Sequence, residues 1–208
     1  MRLPDARGPA SAALLEALCH RSGHTLSMPD PGRRARRRPP ERMHSELFRT
    51  TMRALGLDDS YGHYMNHVPA VTLAVSNTMS YFGLNRRWLG ALLGHLAVFE
   101  MTSSLPNRRY GNGLRRLGGD SEATRFFDEH VAAEAVHEQI AAHDLCGSYA
   151  LEHPSAVPDI LFGASCGLAL ETEFAQHILG QWQHGTSMLP GGLPAATTPV
   201  SMAGLATA

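Results

Sequence analysis

The sequence predicts an all-α protein, and three observations support that prediction. Apolar residues recur at helical spacing after Pro39-Pro40. A long amphipathic pattern covers residues 120–145, and within it three titratable residues fall on one helical face. Helices that each present one apolar face are typical of helical bundles. The first apolar stripe consists of Met43, Leu47, Phe48, Met52 and Leu55.

Five helical segments are predicted in chain order. The second contains β-branched residues and is ambiguous alone, but it is longer than a typical strand and its neighbours are helical. The third is mostly apolar, and the fourth begins at Asp120 or Ser121 as N-cap. The predicted bounds are residues 40–55, 68–82, 86–102, 120–145 and 158–184.

Composition divides the chain into an arm, a bundle and a tail. Residues 1–39 are predicted to form an irregular arm rich in arginine and proline, residues 40–184 a helical metal-binding bundle, and residues 185–208 a disordered tail. The arginine run at 33–38 has no interleaved aromatic residue, so a solvated linker is favoured over a nucleic-acid-binding site.

Residue totals exclude several classes of protein. All 18 basic residues are arginine, which excludes a lysine Schiff base with pyridoxal phosphate and a phosphate-binding P-loop lysine. The net charge of -1 gives no polyanion-binding footprint. No apolar stretch approaches the roughly 20 residues of a membrane span, and no signal cleavage site is seen. Three cysteines without metal-site spacing indicate a reducing, cytoplasmic location.

The fourth helix carries three metal-binding residue types in phase. Spacings of four and three residues put His130, Glu134 and His137 on one face, which Phe126 and Phe127 share. A carboxylate buried between two imidazoles is costly unless a cation offsets its desolvation. Metal ligation is therefore favoured over a solvated charged face or a hydrogen-bonded core histidine.

Two further helices contribute candidate ligands. Glu41 and His44 have the ExxH spacing, which lets one helix supply two ligands to the same metal centre. Taken alone, they would be interpreted as exposed residues at a helix start. Glu100 follows an apolar stretch that is predicted to be core, where a carboxylate needs a partner. His95 lies off the Glu100 face and is predicted to be a packed, neutral histidine.

Glutamate and histidine ligands from three helices match the pattern of carboxylate-bridged di-iron proteins. Nitrogen and oxygen donors without cysteine suit iron or manganese, and zinc is compatible with the same residue types. A ferritin-like di-iron bundle remains an alternative, because it also uses two ExxH motifs and single glutamates. His130 distinguishes the two hypotheses, since the ferritin-like set does not require it.

Other patterns carry less weight. Residues 163–167 fit the GxSxG nucleophile motif, but that motif needs a strand before the serine. Three polar residues of the last helix are either positioning groups for the metal ligands or an ordinary polar face. They are Glu171, Glu173 and His177.

Three stretches of the chain resemble a known family. Residues 38–48, 94–104 and 107–117 are similar to the haem-oxygenase-like di-iron oxidases, also called the iron-containing redox enzyme family, and the resemblance extends from Glu41 to Trp182. The His-x3-Glu-x2-His helix is the most specific signature. The resemblance implies a haem-oxygenase-like multi-helix bundle, N-terminally shortened, since family members carry additional helices before the segment that matches Glu41.

The resemblance also implies a ligand set and a chemistry. It implies two iron ions, or manganese, with three protein ligands facing each ion and no haem. It further implies an oxidase or oxygenase that uses O2 and an external reductant to oxidise a small organic substrate. The implied ligands are Glu41, His44, Glu100, His130, Glu134 and His137, and the residues expected to line a dry substrate pocket are Phe99, Phe126 and Phe127.

A shortened N-terminal region would leave apolar surface of the bundle exposed. A partner chain such as a second copy would cover that surface, or the arm would replace the missing helix. A catalytically degenerate helical scaffold that acts as an interaction module is the remaining alternative. No nucleic-acid or membrane partner is expected.

Overall fold

The computed structural model describes residues 44–186, without the side chains of residues 133–136. The predicted arm, Glu41 and the predicted tail after Thr186 lie outside these residues. Within them the chain forms six α-helices and no strand, so the all-α prediction is confirmed. The helices are α1 (His44–Ala54), α2 (Ala70–Leu84), α3 (Leu89–Arg116), α4 (Ser121–Gln139), α5 (Ser148–Glu152) and α6 (Val157–Gln183).

Helix α3 links the two sides of the bundle. It packs against α4 on one side and against α6 on the other. Helix α1 packs on α4, and α2 packs on α6 and α3. Apolar side chains of α1, α3, α4 and the loop after α1 form a core cluster on the first side. This cluster contains Leu47, Phe48, Met52, Tyr64, Leu114, Phe126 and Phe127.

Helix α3 is longer than the sequence predicts. The predicted end at residue 102 is wrong, because the helix continues through Pro106 to Arg116. Proline has no N–H, so the carbonyl of Thr102 loses its usual donor, but Thr102 is exposed and water can replace that donor. The side chain of Asn107 adds a hydrogen bond to the carbonyl of Ser103, at 3.0 Å. A single continuous helix therefore carries both Glu100 and Asn107.

Helices α3 and α6 meet at backbone contact through glycines. A Cβ at Gly94 would overlap the carbonyl of Ile160, and a Cβ at Gly163 would overlap the backbone of Ala91. The GxSxG pattern is thus part of a helix–helix contact. Ser165 is an exposed helical residue whose hydroxyl donates to the carbonyl of Leu161 at 2.8 Å, so it does not form a nucleophile elbow.

A tight turn joins α3 to α4 in antiparallel fashion. Gly118 adopts φ +86°, a conformation that favours glycine. Asp120 is the N-cap of α4, because its Oδ1 accepts hydrogen bonds from the backbone N–H groups of Glu122 and Ala123 at 3.0 and 2.9 Å. This residue is one of the two N-caps that the sequence predicts. Arg115 donates to Asp128 and Thr124 across the turn. These contacts fix the first half of α4 against the end of α3.

The chain stays helical after α4. A π-helical segment, Ile140–Gly147, follows α4 directly and leads into α5. The predicted long helix is therefore confirmed and extends further than expected. No helix among residues 44–186 is long and apolar enough to cross a membrane.

Candidate metal centre

His44 lies inside the bundle at the start of α1. Its position, four residues before Phe48, puts it on the apolar face of the helix, and it is only 5% exposed. The interpretation of His44 as an exposed residue, which its sequence position alone favours, is therefore wrong. The centre of its ring is 4.2 Å from the ring of His130 and 6.4 Å from the ring of Phe126.

His130 is held in a defined orientation on α4. It is 5% exposed, and its Nδ1 lies 2.7 Å from the carbonyl oxygen of Phe126. A carbonyl only accepts hydrogen bonds, so Nδ1 carries the proton and Nε2 keeps its lone pair. Burial lowers the pKa of His130, which favours the neutral imidazole. Neutral imidazole with an anchored Nδ1–H is the form that binds metals.

Glu100 and His137 form a second pair beside the histidines of α1 and α4. Oε2 of Glu100, on α3, is 3.3 Å from Nδ1 of His137, on α4, and both side chains are partly buried. The charge of Glu100 acts to raise the pKa of His130 and a charge on His137 acts to lower it, although burial outweighs both. The two pairs are therefore within electrostatic reach of each other. Three helices bring them together.

The types of donor atom in this cluster fit iron. The four described side chains offer imidazole nitrogens and a carboxylate, which suit iron or manganese. Burial raises the pKa of the Cys146 thiol, whose Sγ donates to the carbonyl of Leu93 at 3.4 Å, so this side chain favours the neutral thiol over the metal-binding thiolate. The described side chains alone do not place three potential ligands around one point.

Two of the six predicted ligands cannot be compared with the structure. Glu41 lies before the described residues, and the side chain of Glu134 is not described although its backbone belongs to α4. The helical spacing from His130 to Glu134 and on to His137 is preserved, because α4 is regular over that stretch. The six-residue ligand set thus stays a prediction.

The three predicted pocket residues occupy different environments. Phe126 is buried with its ring centre 4.1 Å from His130, at the histidine pair. Phe127 is buried in the core cluster, 6.0 Å from the ring of Tyr110. Phe99 is half-buried on α3, next to Glu100 in sequence. Their role in binding a substrate stays a prediction.

The remaining candidates lie on the other side of α3. His95 is 4% exposed, which confirms the expected packed histidine, and it contacts Phe82 edge-on at 6.0 Å and lies against Gly167. Glu171, Glu173 and His177 all belong to α6, where Glu173 is exposed and the other two are half-buried.

Asn107 is a buried polar residue of α3 that sequence analysis did not single out. It is buried on α3, seven residues after Glu100 and therefore on the same helical face. The seven-residue spacing from Glu100 could have indicated that Asn107 shares its face, but only if α3 continues through Pro106. Because the helix was predicted to end at residue 102, the sequence analysis did not connect the two residues.

The described residues form an all-α bundle in which histidines and a carboxylate from three helices lie in or near the interior, as the side chains of bundle metal sites do. The family model described as iron-containing redox enzyme matches residues 37–172, and the chain belongs to that family. This membership supports an oxidoreductase-type function and the binding of iron.

One curated relative is the nitrosourea synthase of Streptomyces achromogenes subsp. streptozoticus. The chain is 28% identical to it over 123 residues, which cover 58% of this chain and 26% of the relative. The chain thus spans about a quarter of the relative's length.

Proposed function

We propose that this protein is a non-haem di-iron oxidase or oxygenase that activates O2 to oxidise a small organic substrate. The observation that carries the proposal is the presence of two neighbouring pairs, His44 with His130 and Glu100 with His137, contributed by α1, α3 and α4 and within electrostatic reach of each other. Interior histidines that approach one another repel when protonated, so a cluster of this kind favours neutral imidazoles and a bound cation.

Each described residue has a role in this proposal. His130 presents Nε2 as a ligand because its Nδ1–H is held by the carbonyl of Phe126 at 2.7 Å. His137 is oriented in the same way by Glu100, whose second carboxylate oxygen is available to an ion. His44 supplies a nitrogen from α1. Glu41 and Glu134 complete two sets of three ligands without haem.

Iron in this site would supply the reducing electrons for O2, with an external reductant to restore them, and manganese is the alternative ion. The protein controls access to the site. Phe126 covers one side of His130, and Phe48 packs edge-on against Phe126 at 4.9 Å, so the wall behind the histidines is apolar. An apolar wall excludes water from the reacting groups and leaves the half-buried Phe99 side as the substrate approach.

The name of the relative supports a proposal about the substrate class. The relative's name says that it makes a nitrosourea. We therefore place nitrogen-containing small molecules, such as substituted ureas, first among substrates for this chain. Hydrocarbon or carboxylic acid substrates, oxidised at C–H bonds, follow as the second group.

Anaerobic titration with Fe(II) tests the metal centre directly. The proposal predicts about two tightly bound iron ions per chain and rapid O2 consumption when oxygen and a reductant are added. His130→Ala is expected to lower the iron stoichiometry. Unchanged stoichiometry in that variant would favour the ferritin-like alternative, which does not require His130.

Absence of iron binding in the parent protein, prepared under reducing and iron-replete conditions, contradicts the proposal. That outcome would leave a helical scaffold that serves as an interaction module. Far-UV circular dichroism of the same sample shows whether the bundle is folded, so a failed preparation is not mistaken for a protein that lacks the site.

A further inference from the structure

The outward face of α6 carries a repeat that is typical of helix pairing. Six residues follow one another at spacings of four and three, and all six are exposed. Three of them are leucines with 62%, 49% and 52% of their surface exposed. We refer to these six residues as the α6 seam. The seam consists of Leu161, Ser165, Leu168, Thr172, Ala175 and Leu179.

The seam is uncharged over its whole length. Pro158 precedes it and Trp182 follows it at the same spacing, so the stripe extends over 25 residues and a rise of about 36 Å. Helix α6 contains no arginine or lysine. The outward face of a helix in a monomeric globular protein is usually charged or polar. The small and apolar seam residues would instead allow another helix to approach closely.

Two exposed charged residues lie along one flank of the seam, whereas the half-buried Glu171 lies on the other flank. The guanidinium carbon of Arg87 is 4.6 Å from the centre of the Trp88 ring, and that ring is 5.6 Å from the ring of Phe162. A cation therefore sits near the N-terminal end of α6. Glu173 is exposed further along the helix. Phe162 and Glu173 are 11 residues apart, which places them on the same flank.

We propose that a second copy of this chain docks on the α6 seam, with the two α6 helices antiparallel. A two-fold interface needs a surface that is complementary to itself. Antiparallel pairing about a point near residue 170 puts Leu161 opposite Leu179 and Leu168 opposite Thr172. The seam brings no charged residue against itself in this arrangement.

The flanking charges also select the antiparallel direction. In an antiparallel pair related by a two-fold axis, the same flank of both α6 helices lies on the same side of the pair. Arg87 of one copy therefore lies on the same side as Glu173 of the other copy. Opposite charges set the orientation of an interface. A parallel pair would place the two flanks on opposite sides and would not bring these residues together. The inference does not depend on the metal centre.

Sedimentation velocity of the full chain over a range of concentrations tests the inference. The parent protein is expected to sediment as a dimer, and Leu168→Glu is expected to weaken dimerisation at least about 30-fold, as loss of an interface anchor does. Leu105→Glu is the matched control, because Leu105 is a leucine of α3 with similar exposure, 54%. That variant should dimerise like the parent protein. Circular dichroism confirms that both variants are folded.

Charge reversal tests the antiparallel orientation. Arg87→Glu and Glu173→Arg should each weaken the dimer by about five-fold, as expected for exposed ion pairs. The double variant should return to the parent value. If both single variants weaken the dimer and the double variant does not recover, the antiparallel arrangement is wrong.

Two outcomes overturn the docking surface itself. A dimer that Leu168→Glu leaves unchanged must use another face. A parent protein that stays monomeric at all concentrations also contradicts the proposal. If Leu168→Glu then lowers the melting temperature more than Leu105→Glu does, the seam is covered within a single chain.

Discussion

Two histidines, His130 and His95, are equally buried on neighbouring helices and have different surroundings. His130 faces His44, donates to the carbonyl of Phe126 and lies within electrostatic reach of Glu100. His95 lies against Phe82 and the backbone of α6 at Gly167. Burial alone therefore does not indicate a metal ligand. Other ligating groups must converge on the same point.

The same contrast applies to the two sides of α3. Towards α6, glycines let two backbones touch, so the shape of the two helices fixes this contact. Towards α1 and α4, titratable side chains occupy the interior beside an aromatic core. We infer that the first side stabilises the fold and that the second side performs the chemistry. The predictions below separate these two contributions.

Gly163→Ala should have the largest effect. The added methyl group would overlap the backbone of Ala91 and push α6 away from α3. We expect a loss of about 3 kcal/mol in the free energy of unfolding, at the upper end of overpacking costs. Urea denaturation measures it. A loss below about 0.5 kcal/mol would show that the glycine contact does not stabilise the bundle.

His95→Ala should destabilise the protein and leave iron binding intact. Removing a buried side chain at the α3–α6 contact leaves a cavity, with an expected cost of about 2 kcal/mol. Chemical denaturation and Fe(II) titration on the same sample measure both quantities. If His95→Ala removes iron as His130→Ala is expected to do, the contrast between the two histidines is wrong.

Asp120→Ala should lower stability by about 1 kcal/mol through loss of the cap of α4. The cap lies ten residues before His130, so we expect the iron stoichiometry to stay at the parent value. Thermal unfolding followed by circular dichroism measures the first effect. A loss of iron in this variant would show that the start of α4 and the metal centre are coupled.

Gly180→Ala should have the smallest effect, and its sign is opposite to that of Gly163→Ala. No atom lies within 4 Å of a Cβ built at Gly180, although this glycine is also in α6. Alanine favours the helix over glycine by about 0.5 to 1 kcal/mol. A stabilised variant in urea denaturation would confirm that backbone contact, and not helix propensity, makes Gly163 sensitive. A destabilised one would contradict that interpretation.

The sequence predicted the helices well because their apolar faces repeat at helical spacing. The same spacing predicted that His130 and His137 lie on one face of α4. The sequence did not predict that His44 is buried, because that depends on how α1 packs on α4, which no spacing within α1 reveals. Pro106 led to a wrong helix end, since the lost hydrogen bond falls on an exposed carbonyl that solvent can satisfy.

The glycines of α6 show a different limit. Gly163 and Gly167 resemble a catalytic motif in the sequence, and only the pairing with Gly94 of α3 shows that they serve packing. For the candidate site, spacing predicted that the candidate ligands of α4 share a face, and the apolar surroundings of Glu100 predicted that it needs a partner. The partner, His137, belongs to another helix and could be identified only from the fold.

Anomalous diffraction at the iron edge, from crystals grown anaerobically with Fe(II), would test the central claim most directly. The account predicts two anomalous peaks between α1, α3 and α4, within bonding distance of Nε2 of His130 and of the Glu100 carboxylate. Peaks at His95 or elsewhere on the α6 side, or no peak in a crystal of the folded protein, would contradict it.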